Sequence, residues 1–85
     1  MEFRSQKNKQ AEDIQANING IWRTVGRVVK SRRGPYTDSN MFHAHWLGVF
    51  GVVGTGIGTW ASAYKARKQI EQMAINTIKP ENITF

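Results

Sequence analysis

The sequence predicts an all-α membrane protein: one transmembrane helix, an N-terminal amphipathic surface helix and a short C-terminal helical extension. Three observations carry that expectation. A stretch free of Asp, Glu, Lys and Arg runs from Ser39 to Tyr64, between segments dense in charge. Ahead of it, apolar residues from Ile14 to Val29 recur at the spacing of one helical face. Finally, 85 residues without a cysteine leave little room for a self-supporting core and no disulfide to staple it. Support then has to come from a membrane or from partner subunits.

The elements follow in chain order. Residues 1–10 are polar and are expected to be flexible; they lack the apolar run of a secretory signal. Glu2, Glu12 and Asp13 also fit poorly with a cleavable mitochondrial presequence, so any organellar address is expected to be internal. Residues 11–33 read as an amphipathic basic helix. Ile14, Ile18, Ile21, Trp22, Val25, Val28 and Val29 share one face, with Glu12 and Asp13 in the first turn and Lys30, Arg32 and Arg33 in the last. Gly20 and Gly26 weaken that helix by ~1 kcal/mol each relative to Ala, so it needs a surface to lie on. Gly34-Pro35 stops it, and residues 34–40 form a hinge.

Residues 41–64 are the expected transmembrane helix, with its core at 46–64. Nineteen residues from Trp46 to Tyr64 span roughly 28 Å as a helix, close to the ~30 Å hydrocarbon thickness of a bilayer. Trp46 at one end and Trp60 and Tyr64 at the other sit where interfacial aromatics belong. A post-membrane helix over 65–78 follows, with Ile70, Met73, Ala74 and Ile78 as its apolar stripe, and residues 79–85 form a tail.

Within the span, bulky and small residues separate onto opposite sides. Trp46, Phe50, Val53, Ile57, Trp60 and Tyr64 form a ridge. Gly48, Gly51, Thr55, Gly58 and Ser62 form a groove roughly 160° away, with Gly54 and Gly58 adding a GxxxG beside it. Leu47, Val49, Phe50, Val52, Val53 and Ile57 favour insertion by roughly 2–4 kcal/mol together, so the span is marginal alone and is expected to pack against other helices.

No residue set points to catalysis, and neither a cofactor nor a metal is expected. Gly54-Thr55-Gly56-Ile57-Gly58 lacks the strand-turn-helix setting of a dinucleotide loop. His43 and His45, two apart, point to different faces if they lie on a helix. Asn82-Ile83-Thr84 is a glycosylation sequon that only a lumenal C-terminus can use. The net charge of +6 and the run Arg23, Arg27, Lys30, Arg32 and Arg33 suit anionic lipid such as cardiolipin, an acidic partner or nucleic acid. Beside a span, lipid or a membrane partner is the favoured reading and nucleic acid is not expected. Five basic residues before the span against three after it place the N-terminus on the matrix or cytoplasmic side.

Gly34-Pro35, Phe50-Gly51 and Arg67-Lys68-Gln69 resemble the subunit VIIc type of cytochrome c oxidase over residues 34–70. Thr59-Trp60 departs from it where a proline is usual. The small GxxxG-bearing membrane subunits of mitochondrial ATP synthase are similar to the chain to nearly the same degree. The resemblance implies a non-catalytic accessory subunit of a respiratory-chain or ATP synthase complex in the mitochondrial inner membrane, packed against integral membrane subunits. A single-pass regulator of a transporter is the second expectation. A soluble basic nucleic-acid-binding module is the third.

Overall fold

The computed structural model describes residues 1–8, 11–30, 41–51 and 54–84. Instead of an all-α chain it is a five-stranded antiparallel sheet with one helix across it. Strands β1 (Phe3–Lys7), β2 (Ala11–Ile18), β3 (Ile21–Lys30), β4 (Phe42–Trp46) and β5 (Thr55–Trp60) lie side by side in chain order. Helix α1 (Ala63–Thr77) and a 3₁₀ turn at Pro80–Asn82 follow.

The expected surface helix over 11–33 is corrected to the β2–β3 hairpin. Asn19 (φ 55°) and Gly20 (φ 86°) form its two-residue turn. A primed turn needs positive φ at both central residues, and Asn-Gly meets that need at the least strain. Along β2 burial alternates strictly, with Glu12, Ile14, Ala16 and Ile18 inward. In β3 a bulge interrupts the alternation: Ile14 pairs with Gly26 but Gln15 with Thr24, leaving Val25 as the extra residue. Val25, Gly26 and Val28 are all buried as a result. A bulged strand thus imitates helical spacing, because Ile21, Val25 and Val28 stand four and three apart.

The expected transmembrane helix over 41–64 is likewise corrected. Among the described residues no helix is long and apolar enough to cross a membrane. Trp46 closes β4, Gly48–Gly51 is a turn, β5 takes Thr55–Trp60, and α1 begins only at Ala63. Five glycines cost a helix about 5 kcal/mol relative to alanines, at least as much as the ~2–4 kcal/mol that its apolar residues gain from lipid. Gly48 (φ 78°) and Gly51 (φ 72°) instead use positive φ to close a turn, with the Gly51 amide donating to the Gly48 carbonyl at 3.1 Å. The single-pass placement in the mitochondrial inner membrane falls with that span. The accessory-subunit expectation rests on the same helix, which the described residues do not contain. The hinge expected at 34–40 lies outside the described residues.

Helix α1 starts at its own cap, where the Ser62 hydroxyl accepts from the Lys65 amide at 3.4 Å, so it continues no span. Its buried line Ala66, Ile70, Ala74, followed by Ile78, meets Ile14, Ala16, Ile18, Val25, Val28 and Ala44 of the sheet. Small residues at 66 and 74 let the helix approach closely. Gly26 extends that closeness, since a Cβ there would collide with the Ile70 side chain and come within 3.0 Å of the His45 carbonyl oxygen. A charged pair joins the layers: Arg67 Nη1 donates to Glu12 Oε1 at 2.8 Å, and Glu12 is 6% exposed. The tip of the β2–β3 hairpin is tied to the chain end, with Asn19 Nδ2 donating to the carbonyls of Pro80 and Ile83 at 2.8 and 3.3 Å.

Candidate functional site

Helix α1 covers one side, and among the described residues no element covers the other, to which alternate strand residues belong except where the bulges interrupt them. The register carries Arg4 and Gln6 of β1 beside Gln15 and Asp13 of β2, and these beside Thr24 and Arg27 of β3. It continues from Arg27 to His45 and from Val29 to His43 of β4, then from His43 to Thr59 of β5.

These side chains are wired across the strands. Arg4 Nε donates to Gln15 Oε1 at 2.7 Å, and Gln15 Nε2 donates to Thr24 Oγ1 at 3.3 Å. The Arg4 guanidinium carbon also lies 4.3 Å from the ring centroid of Trp22. Arg27 Nε pairs with Asp13 Oδ1 at 2.7 Å, and Thr59 Oγ1 meets His43 Nδ1 at 3.0 Å. Arg4 and Arg27 share this face with Asp13, and its polar groups are held in fixed positions. Lys7 and Lys30 belong to the other side, where they line a hollow with Glu12, Val28 and Ala63 of α1.

At the other end of β3 the Gly48–Gly51 turn folds against the strand. The Leu47 amide donates to the Val25 carbonyl at 2.8 Å, and Arg23 Nε donates to the Val49 carbonyl at 3.3 Å. The turn presents Phe50, 56% exposed, close to β3. Trp22, Arg23, Thr24, Phe50 and Gly51 together line a depression of about 220 Å³. Other hollows border the helix side. One of about 180 Å³ is lined by Phe3, Tyr64, Arg67 and Lys68, whose two cations are already paired with Glu12 and Glu71.

The residues singled out from sequence scatter over this frame. Of the expected groove, Gly48 and Gly51 are in the turn, Gly54 precedes β5, Thr55 and Gly58 are in β5, and Ser62 caps α1. Trp46 and Trp60 pack at the margin of the core, while Tyr64 is exposed on α1 with Arg67 and Lys68 over its ring at 5.9 and 5.3 Å. The basic run divides as well: Arg23 reaches the turn, Arg27 lies on the open face, and Lys30 ends β3. Arg32 and Arg33 lie outside the described residues. His43 and His45 share a face, because a strand repeats every two residues; no group of three or more metal-ligand side chains forms among the described residues. Arg4, Gln15, Trp22 and Thr24 become legible as a set only when β2 and β3 are aligned as a hairpin. The Asn19-Gly20 turn signal is the available clue.

Comparison with known proteins finds no matching family model, curated protein or solved structure.

Proposed function

We propose that the chain is a nucleic-acid-binding module that uses the open face of its sheet. The observation that carries this reading is the Arg4 guanidinium stacked on Trp22 in a plane of fixed polar groups. Flat cations and aromatic rings on an exposed surface are what phosphates and base faces engage. Gln15, Thr24 and the two histidines supply hydrogen-bonding groups beside them, and the +6 net charge favours a polyanion in general.

Anisotropy of a labelled mixed-sequence oligonucleotide, titrated with the full chain at several salt concentrations, tests the reading. Binding is expected to weaken as salt rises, with a log–log slope of ~0.7–0.9 per phosphate neutralised. Arg4→Ala and Arg27→Ala are each expected to lower both affinity and slope. Absence of binding at low salt overturns the proposal, as does salt-dependent binding that neither substitution alters. Retention on anionic vesicles without oligonucleotide binding reassigns the charge to a lipid surface.

A further inference from the structure

We infer that the depression between Trp22 and Phe50 is a slot for one unpaired nucleobase, which makes single-stranded nucleic acid the preferred ligand of the open face. This rests on the nucleic-acid reading above and adds the state of the strand to it.

The turn that carries Phe50 is built to hold a ring out of the core. Glycines with positive φ stand at both of its ends, Gly48 and Gly51, and the bond between them closes it. Phe50 occupies a central position of that turn, so its side chain projects from the tip. The turn does not hang free, because the Leu47 amide and the Arg23 side chain both join it to β3. An aromatic ring 56% exposed on an anchored turn forgoes apolar burial, and a flat ligand would restore it.

The lining fits a base better than other small ligands. Two aromatic residues, Trp22 and Phe50, offer π-faces. Arg4 already occupies one face of the Trp22 ring and holds it in place. Thr24 receives the Gln15 amide on its hydroxyl oxygen and keeps its own proton to donate to a base edge. At about 220 Å³ the depression is smaller than the roughly 300–1,000 Å³ of sites for drug-sized molecules. Bases in a duplex show only their edges in the grooves, whereas stacking on protein aromatics needs a splayed base. The slot therefore selects for a single strand.

The test compares a single-stranded oligonucleotide with its duplex, on the full chain, with 2-aminopurine placed centrally as a stacking reporter. We expect the single strand to bind at least tenfold more tightly than the duplex and the 2-aminopurine emission to be quenched. Phe50→Ala is expected to lower single-strand affinity by about tenfold and relieve the quenching, with the salt slope unchanged. Phe50→Tyr should restore both. Phe50 is exposed, so circular dichroism of the alanine variant is expected to match the parent.

Equal or tighter duplex binding overturns the slot, and so does a Phe50→Ala variant with parental single-strand affinity. In both cases loss of binding on Arg4→Ala leaves the open-face reading standing. No binding of either oligonucleotide overturns the slot and the open-face reading together.

Discussion

Arg4 and Trp22 belong to the first and third strands of the sheet, yet the guanidinium carbon of one lies 4.3 Å from the ring centroid of the other. The contact crosses above β2, where Gln15 receives the Arg4 Nε hydrogen bond at 2.7 Å. An edge strand is thereby locked to the middle of the open face through a side chain that keeps its charge.

Arg4→Lys separates charge from shape. Lysine retains the cation but loses the planar stack and the directed bond to Gln15. Oligonucleotide affinity is expected to fall by about two- to fivefold with little change in salt slope, on the scale of the ~0.5–1 kcal/mol that an exposed guanidinium stack contributes. A salt titration of the variant checks this.

Two glycines of β3 and its turn should fail for different reasons. Gly20 has φ 86° and open space where an added methyl would stand, so Gly20→Ala costs only backbone strain, about 1 kcal/mol. Gly26 faces Ile70, so Gly26→Ala forces the helix away and costs about 1–3 kcal/mol. Urea unfolding of Gly26→Ala in an Ile70→Ala background should show part of that added cost removed, because the Ile70 atoms are gone while the His45 carbonyl oxygen stays within 3.0 Å. Gly20→Ala should cost the same in both backgrounds.

Glu12 and Arg67 hold the sheet and helix together across a nearly closed layer. Arg67→Ala leaves the Glu12 carboxylate buried without its cation and is expected to cost about 2–4 kcal/mol. Adding Glu12→Leu to that variant should recover much of the loss, since an apolar side chain suits the site once its partner is absent. Urea midpoints of the single and double variants provide the measurement.

How far this fold can be read from the chain depends on the segment. The stripe Ile70, Met73, Ala74 and Ile78 includes a step of three, which strand alternation does not give, and α1 lies there. Ile14 and Ile18 are four apart, a distance compatible with both periods, so Ala16 and the Asn19-Gly20 turn have to decide. The Val25 bulge then removes the alternation from β3 and leaves helical spacing in its place. Between Trp46 and Tyr64 the glycines suit a membrane helix packed through small faces, but they suit turns and an uncharged edge strand equally well. The positive charge is visible in composition. Its placement is not, because Arg4, Trp22 and Arg27 become neighbours only through the strand register.

The most direct test of the central claim is an amide chemical-shift titration of the ¹⁵N-labelled chain with a short single-stranded oligonucleotide. The largest changes are expected at Arg4, Gln15, Trp22, Thr24, Arg27 and Phe50, with Ala66, Ile70 and Ala74 under the helix nearly still. Changes concentrated on Lys65, Arg67 and Lys68 of α1, or no changes at all, would contradict the open face as the binding surface.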